Sequence, residues 1–153
     1  AKELQEHFGM PQQNSAHREH STEVQFALLK HYISHAKIVE LVYSHETPHN
    51  IARVIEHVLN KEGWGVIIST DLSHFYTQTQ ANILDNICIE AIEQLDTKRL
   101  HEGCEACGII GVEAMMIAAQ NNELKPTILD YRTSADASGD NSRVVGYLSV
   151  AFS

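Results

Sequence analysis

The segment STDLSH, at residues 69–74, places a histidine three positions after a carboxylate. The apolar, β-branched run that precedes it, WGVIIST at 64–70, predicts a buried strand. In open α/β sheets ligands bind at the carboxyl ends of strands, where this segment would lie. A neighbouring carboxylate can orient an imidazole for acid–base work. His74 and Asp71 are therefore candidate catalytic residues; the alternative is that Asp71 and Ser73 cap the following helix.

A second candidate segment contains Cys104 and Cys107, spaced as CxxC and followed by Gly108. Such a pair can form half of a zinc site or a thiol redox pair. A zinc site needs two further ligands, and we expect the third cysteine, Cys88, to be a core residue of an apolar helical stripe. Cys107, just before a helix predicted at 109–120, is the candidate for a single metal ligand or a reactive thiol.

Residues 18–23, REHSTE, contain a histidine between two carboxylates. Carboxylates in this arrangement can hold the tautomer of the histidine or support a metal ligand. The alternative is a helix start, in which Ser21 or Thr22 caps a helix predicted over 23–33. The spacing alone favours the helix start.

The loop at 134–142, SADASGDNS, combines small residues with Asp136 and Asp140. Its spacing lacks the pattern of a calcium-binding EF-hand loop, so we expect the two carboxylates to form turns. Arg143 directly follows this loop. It could pair with a substrate carboxylate or with Asp140.

Strand and helix signals alternate along the chain, which predicts an α/β fold with a mixed or parallel sheet flanked by helices. The length fits a single domain over residues 1–153. Strands are predicted at 37–43, 64–70, 127–132 and 144–152. Helices are predicted at 1–8, 23–33, from Pro48 to a stop at Gly63, through the stripe 84–95, and at 97–102 and 109–120.

The composition excludes some classes of function. The net charge is −9, from 20 acidic and 11 basic residues, and it disfavours nucleic-acid binding. The sequence has no apolar run near the roughly 18 residues of a membrane span. Three cysteines and no signal peptide predict free thiols and a cytoplasmic protein.

Four segments, in their order, resemble the Memo family, also called AmmeMemoRadiSam system protein B. They are REHSTEVQ at 18–25, STDLSHF at 69–75, CG at 107–108 and DYRTSADASGDNSRVVGYLSVAF at 130–152. Memo proteins resemble class III extradiol dioxygenases in fold. The resemblance therefore implies a helix-flanked sheet with a metal pocket at one edge.

The resemblance also implies roles for individual residues. Cys107 matches the cysteine that joins two histidines in the metal site of the family. His74 matches the histidine that faces this pocket in the acid–base position, and Asp71 would support it. His20 and Glu19 would lie at the pocket rim. The implied metal is iron, or another divalent metal such as copper or zinc.

This sequence departs from the family pattern in one respect. The two metal-binding histidines of the family lie in an N-terminal half, in PHAGY-like and PSHH-like segments, and this sequence has neither. His49 follows a proline but lacks the Ala-Gly continuation. We therefore expect the chain to be the C-terminal half of a longer protein, with an exposed sheet edge through which it could self-associate. The alternative is a shortened relative that has lost the metal.

The resemblance predicts a metal-dependent, dioxygenase-like oxidoreductase whose site is assembled with the other half of the protein. A thiolate is a softer ligand than the dioxygenase carboxylate, which argues against ordinary ring cleavage. The alternative is a module that binds a peptide or a small molecule without turnover. A CxxC zinc or thiol-redox protein is the third interpretation.

Overall fold

The computed structural model describes residues 1–11 and 20–153, which form two compact units, 1–46 and 47–153. The first unit contains helix α1 (Lys2–Phe8), which ends at Gly9, and helix α2 (His20–Tyr32). The helix predicted at 23–33 is thus confirmed, but it begins earlier. Because α2 already includes Ser21 and Thr22, neither residue caps it from outside, and Thr22 instead donates a hydrogen bond to the Glu40 carboxylate.

The second unit is an α/β fold in which helices flank a small sheet. Its elements are α3 (Pro48–Leu59), β1 (His74–Tyr76), α4 (Gln78–Gln94), α5 (Thr97–Leu100), α6 (Ile109–Asn121), β2 (Pro126–Thr133), α7 (Ala135–Ser138) and β3 (Val144–Phe152). The strand order is β1-β3-β2, and both pairs are antiparallel. The predicted α/β class with a helix-flanked sheet is confirmed, and the sheet is antiparallel where a mixed or parallel one was predicted.

Two apolar clusters hold this unit together. In the first, the buried stripe of α4 packs with Leu100, Met116 and the inner faces of β2 and β3. In the second, α3 packs against α6 through Ala52, Ile55 and a row of small residues and methionine on α6. The predicted helix start at Pro48 is confirmed, and Thr47 caps it, because the Thr47 hydroxyl accepts the Asn50 N–H.

The segments 37–43 and 64–70 were predicted as buried strands, and this prediction is wrong for the residues that the structure describes. Both lie outside any β-ladder, and Leu41, Trp64 and Ile67 are exposed. Their β-branched, apolar composition favours an extended backbone. A strand, however, also needs a hydrogen-bonded neighbour, which composition cannot specify.

The loop at 134–142 contains the short helix α7, and its carboxylates form turns as predicted. Asp136 accepts the N–H of Thr133 at 2.8 Å. Asp140 accepts both the N–H and the hydroxyl of Ser142, and these hydrogen bonds lower the pKa of Asp140. No helix within residues 1–11 and 20–153 is long and apolar enough to cross a membrane.

Candidate functional site

The segment that carries Asp71 and His74 is fastened to strand β3. Leu72 donates its N–H to the carbonyl of Gly146 at 3.0 Å, and Gly146 donates its own N–H to the carbonyl of Ser73 at 3.0 Å. His74 then begins β1 and pairs with Val145. The position of His74 is therefore set by backbone hydrogen bonds to β3.

Asp71 and His74 form a partly exposed pair. Nε2 of His74 lies 3.4 Å from Oδ2 of Asp71, and the two side chains are 31% and 49% exposed. This separation is longer than an ordinary hydrogen bond, but the carboxylate faces one ring nitrogen. The predicted capping role of Asp71 and Ser73 is wrong, because Thr77 caps α4 and forms a capping box with Gln80.

Phe75 distorts the strand directly beside His74. Its φ is 66°, in the left-handed region that residues other than glycine rarely adopt, and the β1–β3 register shifts there. The ring is 64% exposed, and the guanidinium of Arg143 lies 4.9 Å from its centre. Arg143, for which we expected a carboxylate partner, thus has an aromatic one.

Cys107 is a free, exposed thiol just before α6. Its Sγ lies 3.2 Å from Oγ1 of Thr70, and the same hydroxyl oxygen accepts the N–H of Gly108 at 2.8 Å. Thr70 also donates to the carbonyl of Asp71 at 3.0 Å. Thr70 therefore joins the cysteine to the segment that continues to His74.

The other two cysteines are paired with each other. Cys88, in the buried stripe of α4, forms a disulfide with Cys104. The expectation of three free thiols is therefore wrong, and the cysteine count no longer favours a reducing compartment. The interpretation of Cys104 and Cys107 as a CxxC pair is wrong as well, because Cys104 is bonded to Cys88 of α4. The prediction that Cys88 is a core residue is confirmed.

A buried polar centre lies behind His74, and the sequence analysis missed it. Asp85 of α4 is fully buried, and its carboxylate accepts the N–H of Ser73 at 3.0 Å and the hydroxyl of Tyr131 at 2.7 Å. The Ser73 hydroxyl is also buried and has no hydrogen-bond partner among the residues described. Asp85 lies three positions before Cys88, on the apolar stripe of α4. An acidic residue at a position of this apolar stripe was the sequence signal that could have revealed the buried centre.

The described part of the chain does not form a metal site by itself. Within residues 1–11 and 20–153, no three side chains of His, Cys, Asp or Glu lie close enough to hold an ion. His20 begins α2 in the first unit, and Glu19 falls outside the described residues. In the second unit Asp71 faces His74, and Cys107 contacts Thr70, the residue directly before Asp71.

The fold and the site define a helix-flanked α/β protein with a cysteine and a His–Asp pair on connected segments. The family model described as "Memo-like protein" matches residues 1–151. The chain belongs to the Memo-like family.

Several relatives carry the name "MEMO1 family protein". The relative from Methanobrevibacter smithii is 39% identical over 146 residues, which cover 88% of this chain and 52% of the relative. The relative from Sulfurisphaera tokodaii is 36% identical over 147 residues, or 88% of this chain and 51% of the relative. The one from Aquifex aeolicus is 32% identical over 147 residues, with shares of 88% and 54%. The chain spans about half the length of these relatives.

Proposed function

We propose that this chain contributes part of a metal-centred, oxidoreductase-like site. In this site Cys107 is a metal ligand, and His74, oriented by Asp71, moves a proton to or from the substrate. The observation that carries the proposal is the contact of Thr70 with Cys107, because it joins the free thiol to the segment of the His–Asp pair. The substrate class is a small molecule or a peptide.

The metal requires ligands beyond those described. Catalytic sites of this type use about three protein ligands with open positions beside them, and the described residues supply one thiolate. We propose that the other ligands come from the part of the relatives' length that this chain does not span. A thiolate suits iron, copper or zinc better than a hard cation.

The His–Asp pair performs the step that this chain can carry out alone. Asp71 faces Nε2 of His74 and favours the tautomer with a proton on that nitrogen. Nδ1 is then unprotonated and can accept a proton from a bound substrate. Nδ1 can later return the proton to the product.

The proposal is tested by metal titration and turnover in the full native protein. Cys107→Ser replaces the soft ligand with a hydroxyl and is expected to lower iron and copper affinity by at least about tenfold, as loss of even a supporting contact does. His74→Gln is expected to retain the metal and lose turnover. Unchanged metal affinity in Cys107→Ser would contradict the assignment of this residue.

A second candidate function is ligand binding without turnover, and the exposed ring of Phe75 favours it. An exposed aromatic side chain with a guanidinium beside it can recognise an apolar ligand that carries a negative charge. In this case Phe75→Ala would weaken ligand binding, whereas Cys107→Ser and His74→Gln would leave it nearly unchanged. The same three variants therefore discriminate the two functions.

A further inference from the structure

We propose that Asp85 is a positioning residue that fixes the direction in which His74 faces the site. Within the described residues, no hydrogen bond or ion pair joins Asp85 to the ring of His74. It acts on the residue immediately before it, because Oδ1 of Asp85 accepts the N–H of Ser73 at 3.0 Å. The inference rests on the proposed function, in which His74 is the group that moves a proton.

Both backbone groups of Ser73 are held from different elements. Its N–H is bound by Asp85 of α4, and its carbonyl accepts the N–H of Gly146 of β3. A residue whose N–H and carbonyl are both engaged has little freedom to rotate its peptide planes. The direction of the next Cα–Cβ bond, that of His74, is therefore set by Asp85 and Gly146 together.

Gly146 shows how closely the carboxylate packs against the sheet. A Cβ at this position would lie 1.9 Å from Oδ2 of Asp85, a distance that no real contact allows. The same Oδ2 accepts the hydroxyl of Tyr131 from β2 at 2.7 Å. One carboxylate thus connects α4, β2 and β3 directly behind the candidate catalytic strand.

Burial of a carboxylate needs an explanation, because an apolar side chain would fill the same position of the α4 stripe at lower cost. The contacts of Asp85 supply one. Two converging donors, a backbone N–H and a phenol hydroxyl, define where its two oxygens lie, whereas an apolar side chain would leave the buried N–H of Ser73 without this acceptor. Positional precision near His74 is what the carboxylate adds.

The test compares Asp85→Ala, Asp85→Asn and a control, Ile55→Ala, in the full native protein without added metal. Ile55 is buried in the α3–α6 cluster, so this control loses stability without any change at Ser73. The readouts are amide hydrogen exchange at Ser73 and the NMR signals of the His74 ring at fixed pH. Turnover is then measured on the metal-loaded protein.

Asp85→Ala is expected to accelerate Ser73 exchange by roughly tenfold, the loss of one hydrogen bond to a charged acceptor, and to shift or broaden the His74 ring signals. Asp85→Asn keeps an oxygen for the Ser73 N–H and is expected to restore most of both readouts. Ile55→Ala is expected to leave both unchanged. Turnover should fall mainly in kcat for Asp85→Ala, because the proton-transfer group is misplaced.

Unchanged His74 signals in Asp85→Ala, together with reduced stability, would overturn the proposal and leave Asp85 a structural residue. If Asp85→Ala does not fold, Tyr131→Phe provides the same test, because it removes one of the two fixed donors and should shift the His74 signals in the same direction by less. Unchanged His74 signals in Tyr131→Phe would then overturn the proposal. Failure of the proposed function would appear separately, as unchanged metal affinity in Cys107→Ser.

Discussion

The hydroxyl of Thr70 lies 3.2 Å from the sulfur of Cys107, a residue 37 positions further along the chain. The same oxygen accepts the N–H of Gly108 at the start of α6. A single small side chain therefore fixes the sulfur position and satisfies a backbone donor at the helix start. If Cys107 is a metal ligand, Thr70 is the residue that aims it.

We predict that Thr70→Val weakens metal binding at Cys107. Valine keeps the shape of threonine but removes the hydroxyl, so the metal affinity should fall by roughly tenfold, the usual effect of losing a supporting contact. The unfolding free energy should fall by about 1 kcal/mol, because the Gly108 N–H loses its acceptor. Metal titration and urea unfolding measure the two effects.

Thr70→Ser is the matched control, because it keeps the hydroxyl and removes only a methyl group. Its metal affinity should stay close to that of the wild type. Equal metal affinities for the valine and serine variants would show that the hydroxyl does not position Cys107.

The disulfide between Cys88 and Cys104 should stabilise the fold, whereas Cys107 should act in the candidate site. The double variant Cys88→Ala, Cys104→Ala removes a disulfide with a sequence separation of 16 and should cost about 3 kcal/mol of unfolding free energy. Cys107 lies outside this disulfide, so metal affinity should change little. Urea unfolding with and without a reductant measures the first effect, because reductant should destabilise the wild type but not the double variant.

Cys107→Ser supplies the opposite pattern and serves as the control. It should leave the unfolding free energy nearly unchanged and abolish tight metal binding. If the double variant instead lost as much metal affinity as Cys107→Ser, the CxxC interpretation would return.

Sequence patterns predicted α3 and α4 well, because each helix has an apolar stripe at helical spacing. The Thr47-Pro48 start of α3 and the buried stripe of α4 are visible as residue types at fixed spacing. The strand β1 was missed for a physical reason. It has only three residues, too few to show the alternation from which strands are recognised.

The candidate site was predicted only in part. Asp71, His74 and Cys107 were found through motifs, but their roles stay predictions. The partners that hold them, Thr70 and Asp85, were not found. Their roles depend on contacts between segments 12 to 38 residues apart, which no local pattern encodes. An aspartate on a helix is ordinarily solvent-exposed, and the position of Asp85 on the apolar stripe of α4 was the sequence signal of its burial.

Tyr131 should make the stability depend on pH in the alkaline range. Burial first, and then the hydrogen bond to Asp85, raise its pKa in the folded protein above its usual value. The unfolded chain releases the phenol proton near pH 10, whereas the folded protein retains it. Unfolding is then coupled to proton release, so this contribution to stability is complete below about pH 10 and decreases as the pH rises further.

Urea unfolding of wild type and Tyr131→Phe between pH 8 and pH 11 isolates this contribution, with the pH range chosen around the usual tyrosine value of about 10. The difference in unfolding free energy between the two proteins should be constant up to about pH 9.5 and shrink above it. A difference that grows with pH would contradict the raised pKa. The difference in unfolding free energy between wild type and Tyr131→Phe cancels the contributions of other groups that titrate in this alkaline range.

Replacement of Phe75 by glycine should destabilise the protein less than replacement by alanine. Both substitutions remove the exposed ring and its contact with Arg143, but alanine must keep a φ of 66°, which glycine adopts freely. Phe75→Gly should therefore be more stable than Phe75→Ala by about 1 kcal/mol.

At Tyr76, which is not among the positive-φ residues, the order should reverse, because glycine in a strand costs backbone entropy. Thermal unfolding of the four variants measures both differences. Alanine as the more stable residue at both positions would show that Phe75 carries no strain. Suppose that the predicted order is found and that Phe75→Gly also weakens ligand binding. The strained, exposed aromatic ring beside His74 then serves to bind the ligand.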